Sequence, residues 1–155
     1  GLSVRPLPEP SGLVLRVGWT GTPASTPSMI AALDSRGDAS FISGSAQCVQ
    51  RLIAAAEADD GAAVQSEIRC ARELLIALDH SVGGGIMTPR LRALCEAGEA
   101  VGAAAKPSGA GGGDCGIALL PRVRPAADAE LTGRWIRAGI QPLDLHTSQY
   151  FQNDP

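Results

Sequence analysis

The sequence predicts an α+β domain with a mostly antiparallel sheet and helices packed on it. Three observations carry that expectation. Apolar residues recur at i, i+3 and i+4 over two long stretches, about 43–58 and 62–80, as on amphipathic helices. Short apolar runs at about 13–18, 103–106, 115–120 and 140–145 read as strands. The runs at 103–106 and 115–120 are joined by a single glycine-rich loop with no helix between them, which suits antiparallel pairing.

Residues 1–12 are rich in proline and serine and read as an irregular lead-in. The folded domain is expected over 13–146 and a polar tail over 147–155. The first strand, LVLRVG, runs into the turn-rich segment Trp19-Thr20-Gly21-Thr22-Pro23. Ser25 or Thr26 can cap a short helix that has Pro27 at its first position and reaches about Leu33. The segment Ser35 to Ser40 is a polar break.

The first long helix places Cys48, Val49, Leu52, Ile53 and Ala56 on one face, and the second Val64, Ile68, Ala71, Leu75 and Leu78. Gly83-Gly84-Gly85 stops the second. Thr88 caps a third helix, with Pro89 at its first position, Leu91, Leu94 and Cys95 facing inward, and Gly102 near its end. A last helix covers about 126–138, with Trp135 in the core. Pro142 makes the final strand an edge strand or an irregular one, because it cannot donate to a ladder.

At 155 residues, 45% hydrophobic and 19% charged, the chain can bury a core and is one domain by length. A net charge of −3 argues against a general nucleic-acid binder. No apolar run approaches the ~18 residues of a membrane span, and the N-terminus does not read as a signal peptide. The chain opens on Gly1 rather than Met, as expected of a piece of a longer protein. Cys48, Cys70, Cys95 and Cys115 show no CxxC spacing and read as reduced thiols of a cytoplasmic protein, most of them packed as small hydrophobes. His80 and His146 lie far apart, and no metal-ligand set is expected. The basic residues are 12 Arg and one Lys, and that lysine, Lys106, stands beside the glycine loop.

That loop, Ser108-Gly109-Ala110-Gly111-Gly112-Gly113-Asp114, is the most informative stretch. Without side chains the backbone can adopt positive φ and turn its N–H groups toward one point, a concavity suited to phosphate oxygens. A plain hairpin turn needs less glycine. Walker A is absent because no G-K-[ST] follows. Gly111, Gly113 and Gly116 spell GxGxxG, but a strand follows them instead of the helix a dinucleotide site requires. Asp114 is read as the residue that organises the loop.

The segment AAAKPSGAGGGDCGIAL at 103–119 resembles the third motif of the GHMP kinase superfamily. Together with VGWTGTPAST at 17–26 and the Arg134-Trp135…Ala138-Gly139-Ile140 pattern, it is similar to the phosphomevalonate kinases in particular. The resemblance covers about 11–145 and only the C-terminal lobe of such an enzyme; the PxxxGLGSSAA-type loop of the N-terminal lobe is not in this sequence.

The resemblance implies a GHMP kinase C-terminal-type domain, ATP and Mg²⁺ as cofactors, and phosphomevalonate as the small-molecule partner. It implies phosphate or substrate binding by Ser25, Thr26, Lys106, Ser108, Gly109, Ala110, Gly111, Gly112 and Gly113. It assigns no catalytic residue to this chain. A related acceptor such as mevalonate, or a non-catalytic binding module, stays open, as does a homodimer formed through a surface left by the N-terminal lobe.

Overall fold

The structure, a computed structural model, describes residues 4–24, 39–109, 111–145 and 147. Among these, four strands and four helices follow one another. They are β1 (Leu13–Trp19), α1 (Ala39–Glu57), α2 (Gly61–Val82), α3 (Pro89–Ala100), β2 (Ala104–Pro107), β3 (Cys115–Pro121), α4 (Pro125–Arg137) and β4 (Gln141–Leu143). The short helix expected near residue 27 lies outside the described residues. No described helix is long and apolar enough to cross a membrane.

The sheet has the order β2-β3-β1-β4 and every neighbouring pair is antiparallel. β1 pairs along its whole length with β3, from Leu13 opposite Pro121 to Trp19 opposite Cys115. β4 pairs only with β1, so Pro142 sits on an edge strand, where its missing N–H is tolerated. The other edge, β2, is covered. Arg69 and Arg72 of α2 reach the carbonyls of Ala103 and Ala105 at 3.4 and 3.0 Å, while Glu99 of α3 accepts from both guanidinium groups. Donors from a neighbouring helix thus occupy acceptors that an open edge would offer to another chain.

β3 alternates strictly, burying Gly116, Ala118 and Leu120. These small residues let α3 approach the sheet. A Cβ on Gly116 would lie 2.5 Å from Leu94, and one on Gly98 would lie 2.8 Å from the Ala105 methyl. Trp135 of α4 is 1% exposed and donates its indole N–H to the Leu94 carbonyl at 3.1 Å. Ile140, 2.9 Å from a Cβ built at position 18 of β1, and the Trp135 ring, at 3.1 Å, crowd that position, where glycine stands.

The caps behave as their chemistry requires. Asp60 accepts from the Ala63 N–H at 3.0 Å at the start of α2, and Thr88 accepts from the Leu91 N–H at 3.3 Å at the start of α3. Gly83 closes α2 in the left-handed conformation. One face differs from expectation. α1 buries Cys48, Ala55 and Ala56 but leaves Val49 half exposed. α1 packs principally on α2 rather than on the sheet, so its covered stripe is narrower than the apolar pattern suggests.

Candidate functional site

The glycine loop connects β2 to β3, and a strand, not a helix, follows it. Gly109, Gly111, Gly112 and Gly113 all have positive φ, and so does Asp114 at +58°. Asp is among the few residues that tolerate this region. At two positions glycine is also demanded by space. A Cβ on Gly111 would stand 2.6 Å from the Ile86 carbonyl oxygen, and one on Gly113 would stand 2.7 Å from that of Thr22. The obstacle is backbone in both cases and cannot swing aside.

The loop is held from two sides. On one side the turn after β1 grips Asp114. The N–H and hydroxyl of Thr20 both donate to the Asp114 carbonyl, at 2.8 and 2.9 Å, and the Asp114 N–H donates to the Thr22 carbonyl at 2.6 Å. Arg90 of α3 holds that turn in place by donating to the Thr20 carbonyl at 2.6 Å. On the other side the Gly112 N–H donates to Ile86 at 2.8 Å. Ile86 is itself fixed by Asp79, which is 5% exposed and whose Oδ1 accepts from the N–H groups of Ile86 and Met87 at 2.6 and 3.2 Å.

Three of the loop amides, those of Ser108, Gly112 and Asp114, are therefore bonded within the fold, Ser108 to the Cys115 carbonyl at 2.9 Å. Those of Gly109, Gly111 and Gly113 have no hydrogen-bond partner among the described residues. The sequence predicts an Asp114 side chain that accepts loop N–H groups, whereas the bonds that clamp Asp114 run through its backbone N–H and carbonyl. Its carboxylate is exposed and accepts from the Cys115 thiol at 3.8 Å.

Lys106 lies on β2, partly buried, with its ammonium donating to the Pro107 carbonyl at 2.6 Å. Burial pushes its pKa down from the usual lysine value. It shares with Gly109 the wall of a largely apolar cavity of about 380 Å³ between α1, α2 and the sheet. The structure therefore brings Lys106 and the start of the loop together, with the exposed Ser108 between them. Ser25, Thr26, Ala110 and His146 lie outside the described residues. His80 is exposed in the last turn of α2. Trp19 is half-buried on β1.

Thr20, Asp79 and Arg90 escaped the sequence reading. The turn-rich stretch after the first strand was a signal for Thr20. Asp79 before three glycines resembles an ordinary helix-end residue, and its role appears only once α2 and the loop are placed side by side.

A clamped glycine loop, a partly buried lysine on the strand that leads into it and an antiparallel α+β frame together define the class of protein. Residues 29–132 match the family described as GHMP kinases C terminal, and the chain belongs to that family. It is 52% identical over 151 residues to a phosphomevalonate kinase of Streptomyces sp. (strain CL190), covering 94% of this chain and 40% of that protein. Among solved structures it is similar to the Lin0012 protein from Listeria innocua, with a TM-score of 0.84 and 33% identity over 92% of this chain and 41% of that one. It is also similar to the Streptococcus pneumoniae phosphomevalonate kinase in complex with phosphomevalonate and AMPPNP, with a TM-score of 0.76 and 34% identity over 84% of this chain and 38% of that one. The chain thus spans about two fifths of the length of the relatives it matches.

Proposed function

We propose that this chain is the C-terminal lobe of a phosphomevalonate kinase, which transfers the γ-phosphoryl group of ATP to 5-phosphomevalonate and gives 5-diphosphomevalonate. The observation that carries the reading is the clamped loop, whose Gly109, Gly111 and Gly113 amides have no partner among the described residues. The 52% identical relative supports the choice of acceptor. A cytoplasmic setting with reduced thiols goes with the same reading.

The acceptor is a phosphate monoester with a second pKa of ~6, so it is largely ionised at neutral pH and needs little help from a base. The difficulty is to hold two polyanions together. Fixed amide dipoles do this without reorganising, because their cost is already met by the fold. In this chain the loop amides would bind phosphate oxygens, the Ser108 hydroxyl would donate to the same group, and Lys106 would supply the positive charge. Lys106 keeps N–H donors beyond the one bonded to Pro107.

ATP suits this donor set, which offers N–H groups and a cation. Mg²⁺ in phosphoryl transfer is held by one or two carboxylates plus phosphate oxygens and water. The exposed Asp114 carboxylate at the end of the loop fits as one such ligand, and bound Mg²⁺ would neutralise charge between the phosphates. The remaining groups belong to an N-terminal lobe outside this chain.

Lys106→Ala and Ser108→Ala, made in the complete enzyme, test the assignment. Hydrogen bonds to charged groups are worth about 1.5–3 kcal/mol, so each variant is expected to raise KM for phosphomevalonate or ATP, or to lower kcat, by about tenfold or more. Unchanged kinetics in both would remove these residues from the site.

A further inference from the structure

We propose that Cys48, Glu67 and Cys70 form a binding site for a soft divalent cation, with Zn²⁺ as the ion of choice, between α1 and α2. The site does not depend on the kinase reading. Glu67 and Cys70 stand three residues apart on one face of α2, and Cys48 faces them from α1. Their three donor atoms lie within 4.8 Å of one another. Tetrahedral zinc with sulfur at ~2.3 Å and oxygen at ~2.0–2.2 Å spaces its ligands by roughly 3.5–3.8 Å, so small side-chain rotations close the set. Neither cysteine is in a disulfide, and the Cys48 thiol donates to the Glu67 main-chain carbonyl at 3.2 Å, a proton that metal binding would release.

A second observation points to a ligand. The Glu67 carboxylate is divided in its bonding. Oε1 accepts from Arg51 Nε at 2.9 Å, whereas Oε2 is buried and has no partner among the described residues. A buried acceptor left unsatisfied is costly, and a cation would satisfy it. Arg51 also donates to the Cys70 sulfur at 3.5 Å. It therefore orients two of the three ligands from outside while leaving Oε2 available, as outer residues do around metal centres.

The charges also balance. Two thiolates and a carboxylate carry −3, a divalent ion brings this to −1, and Arg51 brings it to zero. Thiolate donors favour zinc over magnesium or calcium. Cys48 and Glu67 line the 380 Å³ cavity, which leaves room for water as a fourth ligand. Binding forms two metal–sulfur bonds and one metal–oxygen bond and releases the two thiol protons to solvent.

The test is a titration of the reduced, chelator-treated full chain with Co²⁺ and then Zn²⁺. The expected result is one ion per chain, a thiolate-to-cobalt charge-transfer band with the intense visible absorption of a tetrahedral site, and loss of both when Zn²⁺ displaces Co²⁺. Cys70→Ser and Glu67→Gln, neither of which opens a cavity, should keep the native circular dichroism and weaken binding by about tenfold or more. Absence of the charge-transfer band, or undiminished binding in both variants, would overturn the site. So would a reduced chain that takes up no cobalt and instead forms a Cys48–Cys70 disulfide in air, which would make the pair a redox couple.

Discussion

Asp79 controls the glycine loop without touching it. Its carboxylate fixes two amides of the turn before α3, and the Ile86 carbonyl of that turn holds Gly112. Asp79→Ala leaves those two buried amides unpaired, at about 1–3 kcal/mol for a buried unsatisfied group. The expected outcome is a lower urea midpoint, and in the complete enzyme a weaker grip on phosphate as well. Asp79→Asn, which keeps an acceptor oxygen, should recover much of the stability. At Gly116 the limit is steric. Its added methyl would meet Leu94, which is fully buried, so Gly116→Ala should cost about 1–3 kcal/mol by overpacking. A melting temperature unchanged by this variant would show that α3 can move off the sheet. Cys95 is buried, and burial pushes its thiol up to about 11. It should react slowly with thiol reagents in the native protein and quickly in guanidinium, a difference that labelling followed by mass spectrometry reads directly.

Between elements, the pair that joins β1 to α4 is pH-sensitive. Arg16 donates to both oxygens of Asp128, at 2.8 and 2.6 Å, and that hydrogen bonding holds the Asp128 carboxyl below the usual carboxylate range. A depressed folded pKa gives stability that is present above the unfolded value and is lost as pH falls through the folded one. Both side chains are partly exposed, so the pair is worth at most ~1 kcal/mol. Urea midpoints should separate the native protein from Asp128→Asn at pH 7 and bring them together well below pH ~4. A gap independent of pH would contradict this. Elements were legible in the sequence wherever local chemistry decides them. Thr88 with Pro89, and Gly83, each mark a helix end by their own side-chain or backbone properties, and the structure places ends there. Leu91, Leu94 and Cys95 all face the core as their spacing required. Val49 did not follow its pattern, because an apolar stripe tells which face prefers cover but not how much cover the neighbours supply.

For the whole molecule, the loop between β2 and β3 and the rejection of a dinucleotide fold follow from the glycine run and the strand after it, whereas the sheet order β2-β3-β1-β4 comes only from the tertiary fold. So do the clamps. Asp79, Arg90 and Thr20 lie 35, 24 and 94 residues from the loop ends they serve, as counted to Asp114, and only the tertiary fold brings them there. The cavity shared by Lys106 and Gly109 is equally non-local, because α1 and α2 supply most of its wall. On the proposed reading, a chain that spans about two fifths of its relatives would contribute part of a site for two polyanions, with the loop amides as fixed donors. The most direct test of this account is ADP release by the complete enzyme containing this chain, measured with 5-phosphomevalonate and with mevalonate under the same conditions. The account predicts turnover with phosphomevalonate and little with mevalonate, since an unfilled set of donors and an uncompensated lysine penalise the acceptor that lacks the phosphate. Preference for mevalonate, or no release with either, would contradict it.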